Sequence, residues 1–199
     1  MTLVLLDTNA YLRLAKHIKP LLGQLFGQKN YVLTILKDVE DEVYKSNRLK
    51  NSFLWFDNPE IKNERVHKRL RLSANERSRI DAMTSVLRSH VLENASSYTT
   101  KGRSPPSHTD CFCLAFGEIR PAIVATDDLG MHQLADEFEI KVFHCHEVLH
   151  KMLSAKMIGK AMVSEIYHAL ELKNDLPRSW IDVKHTTFKK VFGAKPKPK

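Results

Sequence analysis

At 199 residues, 43% of them hydrophobic and 27% charged, the chain is long enough to close one hydrophobic core and too apolar to be disordered throughout. Its formal charge of +8 and pI near 9.4 favour a polyanionic partner. No apolar run approaches the roughly 18 residues of a membrane span, no basic stretch precedes the apolar opening as in a signal peptide, and three cysteines do not make a disulfide framework, so a cytoplasmic protein with reduced thiols is expected.

The opening run Leu3-Val4-Leu5-Leu6 reads as a buried parallel strand over residues 2–6, followed by a short helix through Tyr11, Leu12 and Leu14. Residues 31–33 read as a second strand, and Ile35, Leu36, Val39 and Val43 then recur at helical spacing. Residues 50–72 are mixed: Phe53, Trp55, Phe56 and Pro59 stand among many basic residues. Ser73 with Glu76 three residues on is a capping-box signature for a long helix whose apolar face holds Ile80, Met83, Val86, Leu87 and Val91. Gly102 and Pro105-Pro106 mark a loop, and a helix opens at Ser107-His108-Thr109-Asp110. A strand at 122–125, a helix at 129–138 and a strand at 140–143 complete a βαβ alternation, hence a parallel sheet. Beyond 145 the chain reads as helical, with a break at Asp175-Leu176-Pro177. The tail 189–199, with its Lys-Pro pairs, reads as a mobile basic arm.

Two apolar strands end in acids, Asp7 and the pair Asp127-Asp128. The carboxyl ends of parallel strands are where open α/β sheets place their ligands. Asp110 opens the helix just upstream of the second of these strands, and the helix at 35–45 supplies a further acid. At 100° per residue Glu40 and Glu42 flank that helix's apolar arc on opposite sides, so periodicity leaves both open, while Asp41 points away. Each acid also has a bland use: Asp7 in an Asx-turn, Asp110 in a capping box with Ser107, Asp127 or Asp128 as a cap. Carboxylates gathered on one rim suit hard cations such as Mg²⁺ or Mn²⁺.

Leu5-Leu6-Asp7-Thr8-Asn9 resembles the opening motif of the PIN-domain family. Val39-Glu40-Asp41-Glu42-Val43 is similar to its second motif, with the acid directly before an aliphatic residue, and this selects Glu42. Thr109-Asp110 with Leu114-Ala115 resembles the third motif, and Val124-Ala125-Thr126-Asp127-Asp128 the fourth, which selects Asp128 with Asp127 as its neighbour. The matches run in family order from residue 3 to about 143. The resemblance implies a three-layer α/β/α sandwich around a central parallel sheet, at residues 1–150. A helical insertion at about 48–105 and a helical extension with a basic tail at 151–199 are additions to the compact family pattern. It further implies an endoribonuclease that hydrolyses RNA phosphodiester bonds through Mg²⁺ or Mn²⁺ held by Asp7, Glu42, Asp110 and Asp128. Thr8 and Thr126 are candidates for positioning water or phosphate, Asn9 for holding an acid in place. The family setting is a toxin with a cognate antitoxin, often a homodimer. A catalytically silent nucleic-acid-binding module of the same fold is the alternative.

His146-Glu147-Val148-Leu149-His150 matches the His-Glu-x-x-His pattern of zinc proteases, without the histidine-bearing extension that some of them carry. Cys111, Cys113 and Cys145 fit no standard zinc spacing and read as buried thiols. The basic segment 62–79, with Lys62, Arg65, Lys68, Arg69, Arg71, Arg77 and Arg79, is a candidate phosphate track or a solvated helical face. Lys101 and Arg103 lie nearer the acid rim and are the preferred phosphate contacts, while Trp55 and Phe56 are candidates for base stacking or for the core.

Overall fold

A computed structural model describes residues 1–99 and 104–195. Five strands form one sheet in the order β2-β3-β1-β4-β5. They are β1 (Thr2–Leu6), β2 (Leu25–Phe26), β3 (Tyr31–Thr34), β4 (Ile123–Ala125) and β5 (Val142–Phe143). β1 pairs parallel with β3 on one side and β4 on the other, and β5 adds parallel to β4. This central place explains the opening sequence: Val4, Leu5 and Leu6 are all buried, so the strand cannot alternate apolar with polar residues. Only β2 runs antiparallel, as a two-residue edge strand on β3, and two residues leave no period to read.

Helices flank this sheet, giving the α/β fold expected. The short helix α1 (Thr8–Leu14) follows β1, and α2 (Lys37–Lys45) follows β3. The insertion is helical: α3 (Asn47–Ser52), a 3₁₀ turn (Leu54–Asp57), α4 (Pro59–Lys68), α5 (Ala74–Glu93) and α6 (Ala95–Tyr98). Ser73 and Glu76 form the reciprocal capping box at the start of α5. α7 (His108–Ile119) packs along α5 and against β4. It approaches closely at Gly117, where a Cβ would meet the Val124 side chain at 2.9 Å. Then come α8 (Leu129–Glu137), α9 (Cys145–Ser154), α10 (Lys160–Leu172), α11 (Arg178–Val183) and α12 (Lys189–Phe192). Among the described residues no helix is long and apolar enough to cross a membrane.

The C-terminal helices share the core of the sheet. Tyr167, Trp180 and Phe188 are fully buried within the same apolar cluster as Leu5 and Leu14. The mobile arm expected from residue 189 is therefore corrected in part. Lys189–Phe192 is the helix α12, and the Phe192 ring packs tilted on Tyr167 with centroids 4.7 Å apart, which holds the turn that follows Phe188. Residues 196–199 lie outside the described residues. The basic segment 62–79 is corrected too. Arg65 is buried with its guanidinium 3.6 Å from the Phe56 ring centroid and paired to Glu40. Arg69 also binds Glu40, and Arg77 binds Asp38 and Asp81 while stacking on Phe112. Three of the seven cations thus hold the insertion to α2 and α7. Phe56 is in the core, and Trp55 packs against it half-buried.

Candidate active site

The sheet order makes the site. The chain leaves β1 towards β3 on one side and reaches β4 on the other, so the crevice at the carboxyl ends of β1 and β4 is a topological switch point. Asp7 ends β1, and its N–H donates to Ala125 O at the end of β4 (3.1 Å), so the Asp7 and Thr126-Asp127-Asp128 turns are neighbours.

Three of the four predicted acids are also helix caps. Asp7 Oδ1 accepts the Ala10 N–H at the start of α1 (2.5 Å), and Asp128 Oδ1 accepts the Met131 N–H at the start of α8 (2.9 Å). Asp110 Oδ2 accepts the Ser107 N–H (2.7 Å) in a reciprocal capping box on α7. The bland uses are therefore real, and each occupies one oxygen only. The second carboxylate oxygens of Asp110 and Asp128 have no hydrogen-bond partner among the described residues, and the Asp7 carboxylate also faces the Thr126 hydroxyl. Glu42 is the fourth: its Oε2 accepts the Thr8 hydroxyl (2.5 Å), which ties α2 to the start of α1. Glu40 and Glu42 differ in placement. Glu40 is buried between Arg65 and Arg69, a charge already neutralised, whereas Glu42 faces Thr8 and feels the charge of Asp110.

Electrostatics ties the four together. Burial pushes the Asp7 carboxyl from 3.8 to about 7, and the charges of Asp110 and Asp127 add to this against the opposing Thr126 hydroxyl and Ala10 N–H. Burial and the charge of Asp110 raise Glu42, against the Thr8 bond. Burial raises Asp110, with Asp128 adding and the Ser107 bonds and Arg88 opposing. This is a row of coupled acids with little cationic compensation. The donor set, several oxygens free to turn inward, fits a hard divalent cation. As the side chains stand, no group of three or more His, Cys, Asp or Glu among the described residues is closed into a metal site.

Asp127 has a different role from its neighbour. Its side chain is 1% exposed. It accepts from Arg13 (3.2 Å), the Cys145 N–H (3.0 Å) and the Trp180 indole (2.9 Å). Burial alone would raise its pKa, but His144, Arg13 and Cys145 outweigh it and hold the carboxyl below the ordinary range. Asp127 is thus the pin joining α1, β5–α9 and α11. Arg13 and Trp180 carry no signal in the sequence that could have identified them.

The other predicted residues fall out as follows. Thr126 Oγ1 accepts the Asp128 N–H (3.0 Å) and donates to the Met131 sulfur, so it shapes the turn. Asn9, expected to hold an acid, is exposed and makes no hydrogen bond among the described residues, because the following turn of α1 carries it outward. Asp41, expected to point away, lines with Glu42 a hollow of about 440 Å³ that also includes Asp38, Lys45, Arg77 and His108. Lys101 and Arg103 lie outside the described residues.

The His-Glu-x-x-His match is absorbed by packing. The Glu147 carboxylate accepts its own helix's His144 N–H (2.8 Å). His146 is buried and stacks on His144 at 5.1 Å, and His150 meets the Phe188 ring edge-on at 5.8 Å. All three cysteines are buried free thiols.

No family model matches the sequence, and no curated protein matches it. Among solved structures, the crystal structure of FitAcB from Neisseria gonorrhoeae is similar with a TM-score of 0.41 and 18% identity, over 71% of this chain and 97% of that one. A likeness at that level carries no inference about what this chain does.

Proposed function

We propose that the chain is a metal-dependent endoribonuclease of the PIN type, hydrolysing RNA phosphodiester bonds at the rim of Asp7, Glu42, Asp110 and Asp128. One observation carries this reading. Four acids from four separate segments lie about the switch point between β1 and β4, each held by a hydrogen bond to one oxygen, and burial together with a neighbouring acid raises Asp7, Glu42 and Asp110. Structural carboxylates are neutralised where they sit, as Glu40 is by two arginines. Asp7 and Glu42 have no arginine or lysine partner among the described residues, and their burial costs stability unless a ligand compensates.

The residues that would hold Mg²⁺ or Mn²⁺ are these same four, through their carboxylate oxygens. Such an ion supplies a nucleophilic water of lowered pKa and stabilises charge developing on the phosphate. The protein's own part is orientation. The Ala10, Ser107 and Met131 bonds fix three carboxylates to helix N-termini, and Thr8 fixes Glu42. The net charge of +8 supports a polyanionic substrate. The proposed setting is a toxin restrained by a cognate antitoxin, active as a monomer or homodimer.

Incubation with single-stranded RNA tests the reading. Cleavage should stop in EDTA and return with Mn²⁺ or Mg²⁺ but not with stoichiometric Zn²⁺. RNA affinity that survives EDTA, without cleavage under any metal, would identify the chain as a silent binding module instead. Growth arrest on expression of the wild type but not of Asp7→Asn, relieved by a co-expressed neighbouring open reading frame, would support the toxin setting.

A further inference from the structure

Beside Asp128 lies a hollow of about 290 Å³ that no acid chemistry requires. One wall is Leu129, 46% exposed at the first position of α8 despite its charged surroundings. The other is the loop after α10, which brings Asn174, Leu176, Pro177 and Ser179 to the same space. That loop is anchored rather than draped. Asp175 accepts two bonds from the Arg13 guanidinium (3.0 and 3.2 Å), and the Trp180 indole donates to the buried Asp127. The C-terminal extension is therefore locked at a fixed height above the acid rim, through the residue next to Asp128.

The chemistry of the lining selects its occupant. Two cations, Arg13 and Arg178, face three acids, Asp127, Asp128 and Asp175. Both arginines are already paired, Arg13 with Asp127 and Asp175 and Arg178 with Asp182. A phosphate would meet three acids, one arginine already held by two of them and one solvent-exposed arginine, a balance that disfavours a phosphate. What it offers is apolar walls from Leu129, Leu176 and Pro177, with the side-chain amide of Asn174 and the hydroxyl of Ser179 unengaged by any partner among the described residues. Asn174 holds a positive φ of 52°, which explains an Asn or Gly at this turn. It leaves the amide free to read a polar edge. Apolar walls with one amide and one hydroxyl match a heteroaromatic ring that carries a polar edge.

We infer that this hollow is a nucleobase subsite, built half by the C-terminal extension, which seats one unpaired base of the strand whose phosphate lies at the acid rim. The inference rests on the nuclease reading above. A base held in a duplex cannot enter, so the subsite selects single strands, and Asn174 gives it base preference.

The test is binding, not turnover. The full chain in EDTA is titrated with labelled homopolymers of about eight nucleotides and with the corresponding duplex, read by fluorescence anisotropy. The wild type should prefer single strands and distinguish the four homopolymers. Asn174→Gly, which keeps the backbone, should lower affinity for the preferred base about fivefold and flatten the preference. Ser179→Ala and Leu129→Ala, at exposed or half-exposed positions, should each lower it by about threefold to tenfold with unchanged melting temperature. If the wild type cleaves single-stranded RNA but in the titration binds the homopolymers without preference or not at all, or if all three variants bind every homopolymer as it does, the subsite is overturned and the nuclease reading stands. If the wild type neither binds nor cleaves RNA, both fall together.

Discussion

Replacing Asp7 by Asn separates a site acid from a structural cap, because the two roles move stability in opposite directions. The folded carboxyl keeps its proton up to about pH 7, whereas an ordinary aspartate loses it near 3.8. Between these values the folded state binds more protons than the unfolded chain, so stability falls as pH rises through the window. Below it the group contributes nothing, and above it the full cost is present. A displacement from 3.8 to about 7 corresponds to at most about 4 kcal/mol. Relaxation and water penetration reduce this to about 1–3 kcal/mol. Asn is neutral throughout, and its amide oxygen can still accept the Ala10 N–H that Asp7 accepts at 2.5 Å. The Asp7→Asn variant should therefore melt about 3–10 °C above the wild type at about pH 8, and at nearly the same temperature at about pH 4. The assay is thermal unfolding of both proteins by circular dichroism, in EDTA, at the two pH values. Mn²⁺ in excess should then raise the wild-type melting temperature at the higher pH and leave the variant nearly unmoved. A variant less stable than the wild type at both pH values would show that Asp7 is a cap and nothing more.

The two glutamates of α2 should divide cleanly. Glu40→Gln should cost about 3 kcal/mol in urea unfolding, since it leaves the buried Arg65 without its counter-charge, while cleavage by the folded fraction persists. Glu42→Gln should leave the urea midpoint nearly unchanged and reduce cleavage by about a hundredfold. His150→Ala should retain cleavage, with zinc content by elemental analysis unaltered, because His150 packs on Phe188. Deletion of 194–199, which keeps the Gly193 cap of α12 and its bond to His185, should leave the melting temperature unchanged. Deletion from 189 should lower it, since Phe192 then no longer covers Tyr167, and a calorimetric scan of both truncations checks this.

The sequence was legible where a local rule had no competitor. Leu3–Leu6 had to be a doubly covered strand, and the Ser73/Glu76 and Ser107/Asp110 boxes mark helix starts by hydrogen-bond chemistry alone. It was illegible where tertiary partners decide. Nothing local distinguishes Glu40 from Glu42, because the difference lies in Arg65 and Arg69, more than twenty residues away. The basic segment 62–79 looks like a phosphate track until Glu40, Asp38 and Asp81 are seen opposite its arginines. Asn9 sits in a motif yet is exposed, because α1 buries Thr8, Ala10, Tyr11, Leu12 and Leu14 and leaves Asn9 on its outer face. The role of Asp127 needed Trp180 and Arg13, brought together across 53 and 114 residues of chain.

The most direct test of the central claim is single-turnover cleavage of a labelled single-stranded RNA in Mn²⁺, comparing wild type with Asp128→Asn. The substitution preserves the amide-oxygen cap on Met131 and removes one charge from the rim. The account predicts a rate at least about a hundredfold lower with the fold intact by circular dichroism. Equal rates for the two proteins would contradict it.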